Sequence, residues 1–180
     1  MNPRGLMRAV LEQYVLAPDG IHGVSHWARV CAAGRHLAEA AAVDPDFAEL
    51  FALLHDACRW NDGSDPEHGA RAAALAIALR GQHFELPDAA FAELQRALTF
   101  HSDGRVEDVP AVQVCWDADR LDLTRIGVRP WPRLLCTPAA RALAAGEGQL
   151  PAFDSTAFLA ARWGVTPRGS LLDAHPEDHP

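Results

Sequence analysis

Apolar residues recur three or four positions apart along most of this 180-residue chain, and Pro- and Gly-containing breaks separate the repeats. This spacing places side chains on one face of an α-helix, whereas the alternation typical of a β-strand is weak throughout. The pattern therefore predicts an all-α fold. We expect helices over residues 5–16, 24–42, 47–58, 67–79, 88–100, 110–119, 137–145 and 155–163.

The size and composition predict one globular domain. Hydrophobic residues make up 49% of the chain and charged residues 22%, which is typical of a chain that folds around a single core. Residues 165–180 are rich in Pro, Gly and charge and have no periodic apolar face. We therefore expect a domain over residues 1–164 and a mobile tail over residues 165–180. Asp65, followed by Pro66, is a candidate N-cap for the helix predicted from residue 67.

Charge and cysteine usage exclude several classes of protein. A net charge of -8 argues against a binder of nucleic-acid polymers or membrane surfaces, because both need a basic face. No run of 18 apolar residues is present, and the four cysteines form no CxxC pair, so we expect a cytoplasmic protein with reduced thiols. A small anionic substrate remains compatible, since bound divalent cations would supply positive charge.

The doublet His55-Asp56 follows two leucines at the end of the segment 47–58, which is apolar nearly all round. An ionised aspartate there is costly to desolvate unless a cation compensates, and a divalent metal does so well. A single histidine on a packed helix is more often a hydrogen-bonded core residue than a metal ligand. The prediction of a metal site therefore depends on several such residues occurring together. Other histidines and aspartates lie at or near the ends of predicted helices, and from position alone all stay candidates: His22, His26, His68, His101, Asp117 and Asp119.

The order His, His-Asp, His, His, Asp resembles the HD superfamily of metal-dependent phosphohydrolases over about residues 21–126. The first family histidine matches His26 in HGVSHWARV, the doublet matches LFALLHDACRW, and the last aspartate matches Asp119 in WDADRLDL. Together the blocks resemble a small bacterial branch of the superfamily. The resemblance implies a compact helical bundle whose central helices hold a metal ion through His26, His55, Asp56 and Asp119, with Asp56 central to catalysis.

Some members of the superfamily bind a second metal through two additional histidines, and the aspartate of the doublet then bridges the ions. His68 in DPEHG and His101 in FHSD occupy those two places, so the resemblance implies one or two ions. Imidazole and carboxylate ligands suit Mn, Fe, Co, Ni or Zn better than Mg or Ca, and we favour Mn or Fe. The Gly-Tyr-Pro element of the HD-GYP signalling proteins is absent, which argues against cyclic-dinucleotide hydrolysis.

Arg59 and Arg120 lie beside candidate ligands in the sequence and are candidates for binding a substrate phosphate, which a guanidinium engages bidentately. With 16 Lys and Arg in the chain, chance adjacency is the alternative. His22 could orient a ligand, act as an acid or cap its helix, and Asp117 could hold His26 or another ligand in place. Glu67 and Asp62 are candidates for a general acid or base; Glu67 could also support a ligand, or its charge could simply favour the start of a helix. Trp60 and Trp116 flank the ligand motifs, and we expect both to pack in the core. The other histidines match no place in the pattern: His36, His83, His175 and His179.

Three functions are compatible with this pattern. The first is hydrolysis of a small phosphorylated compound, such as a nucleotide, by attack of metal-activated water on phosphorus. The second is a di-iron oxygenase, since a minority of HD proteins use the same six ligands to activate O2. The third is a non-catalytic protein that senses a nucleotide through the metal site. Association into a homodimer is left open by the sequence.

Overall fold

The computed structural model describes residues 1–172, so His175 and His179 lie outside the described residues. Within this range the chain is helical, which confirms the all-α prediction. The helices are α1 Pro3–Gln13, α2 Val24–Ala41, α3 Pro45–Leu54, α4 His68–Leu79, α5 Asp88–Phe100, α6 Pro110–Leu121, α7 Pro138–Ala145 and α8 Ser155–Phe158. Two 3₁₀ turns, Asp122–Ile126 and Pro132–Leu134, follow α6, and a π-helical turn, Leu159–Trp163, continues α8.

Among the helices of residues 1–172, short polar side chains cap the starts of α1, α3, α7 and α8 by accepting hydrogen bonds from otherwise unpaired backbone amides. Asp44 accepts a hydrogen bond from the amide of Asp46 at the start of α3, and Thr137 caps α7 in the same way. Asp65 does not cap α4 as predicted, since Glu67 occupies the N-cap position. The Asp65 carboxylate instead accepts charge-assisted hydrogen bonds from Arg71, at 2.7 and 2.6 Å, which are stronger than a bond to a neutral amide.

The core lies around α2, which packs against both α3 and α6, while α4 pairs with α5. Trp27, Phe51 and Trp116 are almost completely buried there. The close contact of α2 and α3 depends on Gly34, since a Cβ at that position would lie 2.9 Å from the Cβ of Ala48. Among residues 1–172, no helix combines the length and apolar character that crossing a bilayer requires.

A second close approach joins α4 to α5. A Cβ on Gly69 would lie 2.5 Å from the carbonyl oxygen of Leu98 and 2.7 Å from that of Thr99. Only glycine fits here, because the atoms in the way belong to the backbone and cannot rotate aside. Gly69 directly follows His68, and Leu98 and Thr99 directly precede the end of α5. The contact therefore sets the spacing between the first turn of α4 and the last turn of α5.

The C-terminal part is tied to α3 by Glu49, whose side chain is fully buried. Its two oxygens accept hydrogen bonds of 2.9 Å from Arg162 Nε and Nη2, and Oε1 also accepts from Trp163 Nε1 at 2.9 Å. Arg35 Nη1 donates to Oε2 at 3.2 Å. The carboxylate is thus buried with a full set of partners, as a buried charge requires.

Residues 165–172, which the sequence assigned to a tail, fold back onto the domain. Val165 is fully buried, and the amide of Leu172 donates to the carbonyl of Gly164 at 2.8 Å. Gly169 has a φ of 74°, a left-handed conformation that favours glycine and allows the chain to reverse here. The domain therefore extends to at least residue 172, beyond the predicted boundary at residue 164.

Candidate metal centre

The candidate ligands converge because each lies at or near the end of a helix. His26 is in the first turn of α2, and His68 is the first residue of α4. His55 and Asp56 follow the last residue of α3, where the chain leaves the helix four residues earlier than predicted, in turns closed by Ala57 N to Leu54 O and Arg59 N to Asp56 O. The remaining two lie at C-terminal ends: His101 just after α5 and Asp119 in the last turn of α6.

One group of donors is formed by His26, His55 and Asp56, all buried. The Nε2 atoms of the two imidazoles are 3.1 Å apart, and Asp56 Oδ2 lies 3.5 Å from each of them. Asp119 Oδ1 lies 3.5 Å from His26 Nε2 and 3.8 Å from His55 Nε2. Four side chains from α2, the end of α3 and α6 therefore surround one point.

A second group shares Asp56 with the first. The Nε2 atoms of His68 and His101 are 2.8 Å apart. The other oxygen of Asp56, Oδ1, lies 3.4 Å from His68 Nε2 and 3.8 Å from His101 Nε2. Each oxygen of this buried carboxylate thus faces one histidine pair, which is the arrangement of a carboxylate that can bridge two cations.

Backbone hydrogen bonds fix the tautomers of three of these histidines. His55 Nδ1 lies 3.1 Å from the carbonyl of Ala52, and His101 Nδ1 lies 2.8 Å from that of Leu98. The Nδ1 of His68 makes the same contact with the carbonyl of Asp65. A carbonyl only accepts, so Nδ1 carries the proton in each, and the Nε2 of the neutral ring offers a lone pair.

Two lone pairs that face each other at 2.8 or 3.1 Å repel unless a cation lies between them. The donors are imidazole nitrogens and carboxylate oxygens, which suit a divalent transition metal. The residues present therefore fit one or two such ions.

Within each histidine pair, the two pKa values are shifted in opposite directions. Burial lowers the pKa of His55 to about 4 and also lowers the pKa of His68. Burial acts in the same direction on His26 and His101, but nearby carboxylates outweigh it: Asp122 and Asp56 raise the pKa of His26, and Asp56 and Asp119 raise that of His101. A metal ion binds the neutral form of an imidazole, so metal binding at these histidines would compete with protonation.

His26 is oriented by a carboxylate that the sequence did not single out. Its Nδ1 donates to Asp122 Oδ2 at 2.7 Å. Arg29 donates to the same carboxylate through Nε, at 2.7 Å, and through Nη2, at 3.0 Å. Asp122 therefore fixes the tautomer of His26 so that Nε2 faces His55, the role that outer carboxylates commonly play for metal-binding histidines.

Asp117, a candidate for this role from the sequence, lies elsewhere. Its carboxylate accepts hydrogen bonds from the amides of Cys136 and Thr137, both at 2.7 Å, and from Thr137 Oγ1 at 2.8 Å. Helical geometry explains the difference, because residues two apart point to different sides of a helix and Asp119 faces the metal groups. Asp117 thus holds the start of α7 against α6.

The two metal groups open into a cavity of about 290 Å³. The candidate ligands Asp56, His68, His101 and Asp119 line it, as do the predicted substrate residues Arg59 and Arg120 and the candidate His22. His22 Nδ1 pairs with Asp62 Oδ1 at 2.8 Å. The structure also brings Arg125 to this cavity.

Three other candidates do not line the cavity: Asp62, Glu67 and Trp60. Glu67 is exposed at the start of α4 and does not line the cavity. Trp60, expected in the core, has 68% of its surface exposed and lies under the guanidinium of Arg71, whereas Trp116 is buried as expected.

Asp122 and Arg125 are the residues near the site that the sequence left unnoticed. Asp122 is three positions after Asp119 and Arg29 is three after His26, so both pairs share a helix face. That spacing was the available signal. The spacing alone does not predict that His26 and Asp122 are in contact, because they are 96 positions apart in the chain.

A crystal structure of a predicted HD superfamily hydrolase from an uncultured Thermotogales bacterium is similar to this chain. The TM-score is 0.63 and the sequence identity 27%, over 79% of this chain and 83% of that chain. No protein-family model matches the sequence, and no curated protein matches it. The two proteins therefore share a similar fold over most of both chains, and about a quarter of the aligned residues are identical.

Proposed function

The chain belongs to the HD superfamily, and on that premise we propose that it is a metal-dependent hydrolase of a small phosphorylated compound. The observation that carries the proposal is Asp56, whose two oxygens each face one histidine pair at a cavity lined by arginines. The similar solved structure, described as a predicted HD superfamily hydrolase, supports a metal-dependent hydrolase in general. The phosphorylated nature of the substrate is the finer part of the proposal.

In this proposal the ligands form two groups that share Asp56: His26, His55 and Asp119 for one ion, and His68 and His101 for the other. A bound divalent ion supplies an acidified water and an electrophile for a phosphoryl oxygen. Mixed imidazole and carboxylate donors favour Mn or Fe, with Co, Ni or Zn as alternatives. Asp122 keeps the Nε2 of His26 directed toward His55, where the first ion would bind.

Arg59 is the residue best placed to bind the phosphoryl group. Its Nη2 donates to the carbonyl of Gly63 at 2.7 Å and its Nε to that of Asn61 at 3.3 Å. Its Nη1 lies 3.5 Å from Asp56 Oδ1. A guanidinium held in this way beside the bridging carboxylate can bind phosphoryl oxygens and offset the charge that develops on them during hydrolysis.

A di-iron oxygenase is the second candidate, because the sharing of Asp56 by two histidine pairs fits a pair of iron ions equally well. The two functions differ in what they require. A hydrolase turns over without O2 and with redox-inert or Mn ions, whereas an oxygenase needs a redox-active iron pair. A protein that only senses a ligand would bind it in the presence of metal without turnover.

The test begins with metal analysis of the purified protein. Chelated protein is then reloaded with Mn, Fe, Co, Ni or Zn and assayed for phosphate release from a panel of phosphomonoesters and nucleotides, with and without O2. We expect Mn- or Fe-dependent phosphate release that does not require O2. Asp56→Ala should lose bound metal and activity while its helical circular dichroism remains. Asp103→Ala, which removes a partly exposed carboxylate paired with Arg105, is the matched control.

Phosphate release that persists after complete metal removal would contradict the proposal. Unchanged metal stoichiometry in Asp56→Ala would do the same. Product formation only with iron and O2 would support the oxygenase instead.

A further inference from the structure

The wall of the cavity formed by α6 and the following 3₁₀ turn carries two guanidinium groups, those of Arg120 and Arg125. A third, Arg59, lies beside the second histidine pair, where its Nη1 is 3.4 Å from His68 Nε2. Among the residues that line the cavity, the acidic side chains are Asp56 and Asp119. Both belong to the candidate metal groups, so ions bound there would take up their charge.

Arg120 is only 7% exposed, and its charge has no carboxylate partner within 4 Å among residues 1–172. Its Nη1 donates to the carbonyl of Leu134. Its Nη2 is buried and has no hydrogen-bond partner within the described part of the chain. An unpaired donor on a buried charged group is costly, and an anion at the cavity wall would offset that cost.

Arg125 is held rigidly by backbone carbonyls. Its Nε donates to the carbonyl of Ile21 at 2.9 Å and its Nη1 to that of Asp122 at 3.2 Å. The nearest carboxylate, that of Asp122, is 3.6 Å away and already binds His26 and Arg29. Arg125 Nη2 makes no hydrogen bond to residues 1–172, so the guanidinium keeps a donor for a ligand.

The positive charge of the cavity exceeds what one phosphoryl group needs. Three guanidinium groups face two carboxylates there, and one or two divalent ions would add to the excess. Arg59 is sufficient to bind the phosphoryl group beside Asp56, which leaves the two arginines of the α6 wall unused by the hydrolysis. A volume of about 290 Å³ is near the lower end of the range for small-molecule pockets, which suits a small substrate.

We propose that the substrate carries a second anionic group, a carboxylate or a second phosphate, and that Arg120 and Arg125 bind it on the α6 wall of the cavity. This rests on the proposed function, which places the reacting phosphoryl group at the metal groups and Arg59. Both arginines act here as specificity-determining residues, because they touch the part of the substrate that does not react.

The test compares three-carbon probes that differ by one anionic group. Glycerol 3-phosphate has one phosphate, 3-phosphoglycerate adds a carboxylate, and propane-1,3-diol bisphosphate adds a second phosphate. Their dissociation constants are measured by isothermal titration calorimetry on the Mn-loaded protein, and their hydrolysis by phosphate release. For the wild type we expect about tenfold or more tighter binding of at least one of the two-anion probes than of glycerol 3-phosphate.

The readout is the ratio of the two-anion to the one-anion affinity, because a general loss of structure would lower both affinities alike. Arg120→Gln and Arg125→Gln should each reduce that ratio to about threefold or less. Arg133→Gln, which removes an exposed arginine stacked on Trp131, is the control and should keep the wild-type ratio. Thermal melting of each variant checks its folding, and Arg125→Lys provides a milder change at the same position.

Equal binding of all three probes by the wild type would overturn the inference, as would an unchanged ratio in both glutamine variants. The two proposals fail separately. Phosphate release from glycerol 3-phosphate without any preference for a second anion would keep the hydrolase and refute the second subsite. A preference that depends on Arg120 and Arg125, with no turnover of any phosphorylated compound, would keep the subsite and refute the hydrolase.

Discussion

Replacement of Asp122 by asparagine tests whether this carboxylate positions a metal ligand. Both of its oxygens are occupied: Oδ2 accepts from His26 Nδ1 and Arg29 Nη2, and Oδ1 accepts from Arg29 Nε. Asparagine keeps one acceptor, so its NH₂ group must face another donor, on either His26 or Arg29. His26 then loses either its partner or the charge that holds it in place.

The size of the effect follows from these contacts. Hydrogen bonds to charged groups contribute about 1.5–3 kcal/mol each, and the Asp122 side chain is only 10% exposed, so water replaces them poorly. His26 is one of four candidate ligands of the first ion, and loss of an outer partner typically weakens metal binding about 10- to 100-fold. We therefore expect a loss of about 1.4–2.7 kcal/mol in the free energy of Mn binding.

The assay is competition for Mn between the protein and a fluorescent chelator, performed on the wild type and on Asp122→Asn. Asp62→Asn is the matched control, because Asp62 also pairs with a histidine, His22, but 55% of its side chain is exposed and His22 is not in either metal group. Thermal melts in EDTA separate loss of metal affinity from loss of folding. A dissociation constant in Asp122→Asn equal to that of Asp62→Asn would refute the reasoning.

Three further substitutions test the fold that positions the site. Gly69→Ala should force α4 and α5 apart, since its Cβ would lie 2.5 Å from Leu98 O, and metal analysis should show loss of the second ion before the first. Glu49→Gln should lower the free energy of unfolding in urea by about 3 kcal/mol, because it weakens the charge-assisted hydrogen bonds from Arg162 and can leave the buried Trp163 Nε1 imperfectly paired. Glu107→Gln should lower the free energy of unfolding by about 1 kcal/mol at pH 7, a value reduced for solvent screening. The pKa of Glu107 is lowered to about 2, because hydrogen bonds from Arg96 and backbone amides outweigh the effect of burial. A lowered pKa stabilises the fold above the ordinary carboxyl value of 4.5, and we expect urea unfolding at different pH values to show this contribution disappear as the pH falls toward 2.

Gly148→Ala is the control for Gly69→Ala, and Glu12→Gln is the control for both glutamine substitutions. Gly148→Ala places its Cβ 3.6 Å from a flexible leucine side chain and should change neither metal content nor stability. Glu12→Gln removes an exposed carboxylate and should leave the free energy of unfolding nearly unchanged at every pH. A Gly69→Ala protein that binds both ions, or a pH-independent deficit in Glu107→Gln, would contradict the respective argument.

The helices and the candidate ligands could be predicted from the sequence because both are local patterns. The apolar spacing placed α5 at residues 88–100, as the structure has it, and the doublet His55-Asp56 stood out by its position after an apolar segment. The six candidate ligands named from the sequence lie close together in the structure.

The partners of those residues could not be predicted, because they depend on which helix faces meet. Asp122 begins the 3₁₀ turn after α6 and His26 belongs to α2, and nothing local indicates that these two elements are in contact. Trp60 was expected in the core because tryptophan is usually buried, yet it is exposed beside Arg71. Asp65 had the local pattern of a helix cap, but a charged partner, Arg71, bound it instead. In each case a contact between distant or charged groups outweighed a local preference.

The close contact of Gly69 with α5 also has a consequence for other chains of the same fold. Its position leaves no room for any side chain, so a chain of the same fold with another residue there must hold these two helices farther apart. Such a chain could not bring the counterparts of His68 and His101 as close as 2.8 Å. The residue after the third histidine of the pattern therefore indicates whether a chain of this fold can bring its second histidine pair as close together as this one does.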